Sequence, residues 1–135
     1  MTNTIYQAMI LAFIIIFGIT ANKACSMDNH PVEEDVDILL IANSPNTDYI
    51  VTVYTISGGG AAGYVYERVS IRKKEDRFDK NKGMIFQGAK IKNLSVEWKG
   101  DRLLQVKYTK AGDIFTQEKE WGKKEKILIE YLLGG

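Results

Sequence analysis

One cysteine, one histidine and two prolines are all that this 135-residue chain contains of those residue types. A lone cysteine, Cys25, excludes an intrachain disulfide, so the fold rests on its core alone. The histidine, His30, stands beside Pro31 in an acidic stretch without the Cys/His spacing of a metal site, and we read it as a solvated side chain. Beyond residue 30 there is neither His nor Cys, and no serine-centred elbow replaces them, so no nucleophile–base pair is nominated. Long apolar runs are equally scarce. Ala8–Ala21 is a run of 14 residues, short of the ~20 that span a bilayer comfortably and suited to the core of a signal peptide. A net charge of one sign is missing as well: 18 basic residues face 17 acidic ones, which gives no support to nucleic-acid binding.

The apolar run has no Lys or Arg before it and is followed by Ala21, Ala24 and then Cys25. A cysteine directly behind an apolar segment, preceded by a small residue and followed by polar ones, is where a bacterial lipoprotein is lipidated. Lipidation at Cys25 is the leading expectation. Cleavage near Ala21, releasing a soluble exported domain, and an uncleaved short anchor remain open beside it. Residues 1–24 are thus expected to be a signal peptide or membrane anchor built on a hydrophobic helix. All three readings place the domain in the bacterial cell envelope, exported to the periplasm or tethered to a membrane.

Residues 25–35 read as an acidic flexible tether. Between Cys25 and Ile50 lie six acids and no base, whereas beyond residue 50 there are 17 basic against 11 acidic residues. Glu33, Glu34, Asp35 and Asp37 lack the glycine turn and alternating pattern of a Ca²⁺ loop, so neither a metal nor a cofactor is expected.

Residues 36–133 read as a small all-β domain: about seven short strands in a mainly antiparallel meander. The pattern is organised around one hairpin. Tyr49–Ile56 is β-branched or aromatic throughout and apolar on both faces, which predicts a central strand covered on both sides. Gly63–Arg72 is its returning partner, with Val65, Val69 and Ile71 on one face and Tyr64, Tyr66 and Arg68 on the other. Val36–Ala42 predicts a first strand and Met84–Gln87 a short one. Asn93–Trp98 and Arg102–Tyr108 predict a second hairpin with one wet face. Ile114–Trp121 and Lys126–Leu133 are strands or helices on sequence alone. Arg72–Lys82, six bases interleaved with three acids, reads as an exposed loop.

Two features are candidates for a binding loop or patch. Gly58, Gly59, Gly60 and Gly63 crowd the hairpin turn. An anion-binding nest of backbone N–H groups is one reading, but a phosphate loop needs a following helix and a Lys, and a glycine-rich hairpin loop explains the composition. Tyr54, Tyr64 and Tyr66 come together in the hairpin, as a contact patch if they face out or as cross-strand core if they face in. For catalysis no residue is nominated: Glu67, Glu97, Asp101, Glu118, Glu120 and Glu130 fall on strand faces or turns that solvate charge anyway.

The run Ser44-Pro45-Asn46-Thr47-Asp48-Tyr49 with the strand to Tyr54, then Gly58-Gly59-Gly60-Ala61-Ala62-Gly63-Tyr64 and Val69, resembles a family of small bacterial envelope proteins of unknown function. Its members typically read SP-(N/D)-G-K-Y, a strand with Val/Ala-Tyr, then GGAT and a returning strand. Leu94–Trp98 with Asp101 resembles the same family's I-K-W…D-N-T hairpin. The likeness covers roughly residues 38–108. This chain departs from it at Thr47, where a turn glycine is usual, and at Ala62, where Thr is usual. The resemblance implies a β fold and an envelope address, and carries no activity or site residues. The SP-x-x-x-Y opening is also similar to a single β-propeller blade, but one blade cannot make a propeller.

The expectation is therefore an exported, lipid-anchored, non-catalytic envelope protein with a binding or structural role. Its partners are the membrane, through the N-terminal segment, and an envelope protein or glycan. An inhibitor or immunity protein against an envelope hydrolase is a sharper alternative. A carboxylate-dependent hydrolase is the third.

Overall fold

A computed structural model describes residues 33–134. The hydrophobic helix expected over residues 1–24, Cys25 and His30 lie outside the described residues.

The described chain is all-β, with nine strands and a single turn of 3₁₀ helix. They form two sheets rather than the one meander expected. The first runs β1 (Asp35–Asn43), β2 (Tyr49–Gly58), β3 (Tyr64–Lys73), β4 (Met84–Ala89) and then β7 (Asp113–Gln117). Every neighbouring pair in it is antiparallel. The second has the order β5 (Ser95–Gly100), β6 (Leu103–Tyr108), β9 (Ile127–Leu133), β8 (Glu120–Trp121). Its β6–β9 pair is parallel, which no meander contains.

The expected central hairpin is β2–β3, paired without a break from Tyr49↔Lys73 to Gly58↔Tyr64. Period-two alternation explains its burial. Val51, Val53, Val69 and Ile71 point to the inner face and share one buried cluster with Leu104, Val106, Ile127 and Ile129 of the second sheet and with Ile85 and Phe86 of β4. Each such side chain contributes roughly 1.5–3 kcal/mol on burial. On the other face of β2, Tyr54 and Ile56 are also fully buried, as a strand apolar on both sides requires.

The count exceeds seven because both segments left open on sequence alone are strands, and Ile114–Trp121 is two of them. β7 pairs with β4 in the first sheet and β8 with β9 in the second. Between them the Glu118 amide donates to the Ile85 carbonyl (2.8 Å), and the Lys119 carbonyl accepts from the Ile129 amide (2.9 Å). The chain thus changes sheets within two residues. Tyr131 of β9 locks the crossing, its hydroxyl shared between the carbonyls of Glu118 (2.7 Å) and Ile85 (3.1 Å). Burial, then the Glu118 charge, pushes the Tyr131 hydroxyl well above the usual tyrosine range, so it stays a donor at any ordinary pH.

Left-handed backbone recurs in the turns, and two instances flank the central hairpin. In the β1–β2 turn Ser44 is buried. Its Oγ donates to Asn46 Oδ1 (2.7 Å) and accepts from the Tyr49 amide (3.1 Å). Thr47 sits in the left-handed region there, at φ 62°. After β3, Gly83 has φ 68°, and a Cβ on it would stand 2.0 Å from the Ile71 carbonyl oxygen. Only glycine fits that approach.

Candidate functional site

The glycine cluster closes the β2–β3 hairpin as a compact knot. Gly60–Ala62 form the 3₁₀ turn, entered through Gly59 at φ 86°. The Gly63 amide donates to the Gly60 carbonyl (3.0 Å). A Cβ on Gly63 would meet the oxygens of Gly60 and Gly58 at 2.9 and 3.0 Å. Two carbonyl oxygens thus stand close to Gly63, and Gly59, Gly60 and Gly63 shape the turn.

The three tyrosines separate into two roles. Tyr54 is fully buried. Phe78 packs edge-on against its ring at 5.0 Å, and its hydroxyl donates to the Lys80 carbonyl (2.9 Å). The basic segment after β3 is therefore not simply a solvated loop. Residues 78–80 fold back as a strap over the outer face of the first sheet, because Phe78 is apolar and Tyr54 needs an acceptor. Arg68 reaches the same Lys80 carbonyl (3.4 Å) while donating from Nε to Gln87 Oε1 (2.7 Å).

Tyr64 and Tyr66 are half-exposed, two residues apart on β3 and so on one face. Their rings stack at 4.9 Å with planes 19° apart. Phe115 of β7 extends the row, edge-on to Tyr66 at 5.4 Å and itself 54% exposed. Sequence reasoning missed Phe115. β7 is mostly polar, and only its pairing to β4, with a register shift beside Gly88, brings the ring to this row.

Glu34 joins the row to the strap. Its carboxylate accepts from Tyr64 Oη (2.7 Å) and from Lys80 Nζ (2.6 Å). The Lys80 hydrogen bond, then the Tyr64 one, holds the Glu34 carboxyl below its ordinary range. The same bond to Glu34, and then burial, raises the Tyr64 hydroxyl. Residue 34, expected in a solvated tether, is thus fixed on the domain.

A second aromatic–basic feature lies at the opposite end of β2. Trp121 packs edge-on to Tyr49 at 5.8 Å, and the two line a cleft of about 620 Å³ with Lys73, Lys123, Lys124 and Glu125. Tyr49 Oη donates to Glu125 Oε2 (3.1 Å), and Arg102 pairs with Glu125 at 3.0 Å. Burial, then the Glu125 carboxylate, raises the Tyr49 hydroxyl.

Among the described residues no group of three His, Cys, Asp or Glu side chains is placed to hold a metal ion, and no helix is long and apolar enough to cross a membrane. Comparison of the chain with protein-family models, with curated proteins and with solved structures gives no match.

Proposed function

We propose that this chain is an exported, membrane-tethered domain of the bacterial envelope that binds a protein partner and catalyses no reaction. The observation that carries the binding reading is the row Tyr64–Tyr66–Phe115 on the outer face of the first sheet. Aromatic rings with a polar border are the composition of a protein–protein contact surface. Here the border is Glu34, Lys80 and Arg68, which hold one another in place before any partner arrives. A preformed surface spends little ordering entropy on association. The envelope address rests on the apolar run followed by Cys25 and on the resemblance to small envelope proteins.

The test places a photo-reactive amino acid at position 66 or 115 in the full chain, in cells of the source organism. An adduct at both positions, reduced by Tyr64→Ala, is expected. Adducts no more frequent than those from position 97, on the solvated face of β5, would remove the reading. Intact mass and membrane partition, beside a Cys25→Ala variant, test the tether. A chain that begins at Cys25 with added acyl groups, lost in the variant, is the expected result.

A further inference from the structure

The cleft beside Tyr49 and Trp121 shares no residue with the aromatic row. It forms because the chain turns sharply after β8. Gly122 has φ 96°, and a Cβ on it would stand 2.6 Å from the Glu125 carbonyl oxygen. That turn brings Lys123, Lys124 and Glu125 to one cleft with Lys73, the last residue of β3. The Tyr49 and Trp121 ring planes stand 81° apart and form two of its walls. At about 620 Å³ the cleft lies within the roughly 300–1,000 Å³ of sites that take small molecules. Its charge is lopsided. Glu125 is matched by Arg102 at 3.0 Å. Among the described residues, the other ion pairs engage Lys80, Lys82, Lys99, Lys107 and Lys126, and none engages Lys73, Lys123 or Lys124, all three exposed. A smaller adjoining cleft of about 270 Å³ shares Tyr49, Lys73 and Glu125 but adds Asp48 and Glu75 beside Lys74. Acids balance the lysines there, so the positive region is confined to the larger cleft.

We infer that this cleft binds an acidic sugar, a saccharide ring that bears a carboxylate or a phosphate. Three features select that class. The lysine ammonium groups are compact point charges on flexible stems, and they suit either anion without fixing its geometry. Trp121 supplies an apolar ring whose face is electron-rich, against which the slightly positive C–H bonds of a sugar pack. Glu125 accepts from Tyr49 at Oε2 (3.1 Å) and pairs with Arg102 at Oε1 (3.0 Å). Each of those oxygens keeps a second lone-pair site, which accepts from a sugar hydroxyl. Arg102 offsets the Glu125 charge, so that carboxylate does not repel the ligand's own. A bare inorganic anion uses only the lysines, and a neutral sugar only the ring and Glu125. A flat aromatic acid has no hydroxyl for Glu125. This inference depends neither on the aromatic row nor on the envelope address.

The experiment uses the full chain in detergent micelles with isotopically labelled tryptophan, read by NMR. The chain has two indole N–H groups, and Trp121→Phe assigns their signals. Trp98 is the internal control, since its Nε1 donates to the Ala42 carbonyl (3.2 Å). The probes are glucuronate, glucose 1-phosphate, glucose and inorganic phosphate. Glucuronate or glucose 1-phosphate is expected to move the Trp121 signal saturably and leave Trp98 in place. The tighter of the two tells whether the anion is a carboxylate or a phosphate. Glucose and inorganic phosphate should each bind about tenfold or more weaker. Lys123→Ala combined with Lys124→Ala, both at exposed turn positions, should weaken the acidic sugar about tenfold with unchanged melting, and added salt should weaken it in the wild type. Four outcomes would each overturn the inference: no saturable Trp121 shift with either acidic sugar at millimolar concentration, glucose or inorganic phosphate binding as tightly as the acidic sugars, equal movement of Trp98, or undiminished binding by the double variant.

Discussion

Thr47 is a β-branched residue held at φ 62°, where side chains other than Gly, Asn and Asp are seldom found. The turn needs that conformation because Ser44, Asn46 and Asp48 bond across it, and the Thr47 amide closes it onto the Ser44 carbonyl (2.8 Å). Thr47→Gly should therefore stabilise the domain by roughly 0.5–1 kcal/mol, the left-handed penalty removed less the extra entropy of glycine. A chemical-denaturation midpoint that does not rise would count against strain at this turn. Glu34 gives a second residue-scale prediction. Its folded carboxyl titrates below the ordinary glutamate range. The contribution of its charge is therefore present above the unfolded value and is lost as pH falls through the lowered folded value. Wild type should be more stable than Glu34→Gln near pH 7, and the gap should narrow at a pH below the ordinary glutamate value. Urea titrations of both at the two values measure it. A gap independent of pH would mean that the carboxylate's charge is irrelevant to the strap.

The strands show how much of this fold was legible in the sequence. β2 was readable as central because both of its faces are apolar, and Val51, Val53, Tyr54 and Ile56 are all buried. Val53→Asp should accordingly unfold the domain, since an unpaired buried charge costs several kcal/mol against a total stability of about 5–15. A far-UV spectrum and melting curve like wild type would refute the central placement. The same logic does not fix the place of β1, which was read only as a first strand. Val36–Ile41 looks as apolar as β2, yet it lies at an edge with its side chains exposed. The division of Ile114–Trp121 was illegible for another reason. It is decided by contacts with Ile85 and Ile129, far from it in sequence. The candidate site was half legible: Tyr64 and Tyr66 follow from alternation on β3, whereas Glu34, Lys80 and Phe115 reach the row only through long-range pairing and the strap. Gly83 anchors that strap through its own carbonyl, which accepts from the Ile71 amide (2.9 Å). Gly83→Ala should loosen the strap and destabilise the fold, read as a lower melting temperature and faster hydrogen exchange at Ile71.

At the scale of the whole molecule, the two sheets share one core, and the chain crosses between them three times. The first sheet is incomplete until β7 arrives, and the second until β9 inserts between β6 and β8. Ile127 and Ile129 are core residues, and Tyr131 fastens the crossing from the last strand. A chain ended after Gly122 should thus fail to protect any part of either sheet in hydrogen exchange, rather than leave β1–β4 folded. A protected β2–β3 core in that truncation would show that the sheets are separable.

That late insertion of β9 has a consequence in time. A ribosome emits β1 first and β9 last, and the pairings that complete the core join segments far apart in the chain, which makes them slow to form. Until residues 127–133 emerge, the nascent polypeptide is thus expected to lack a stable half to collapse into.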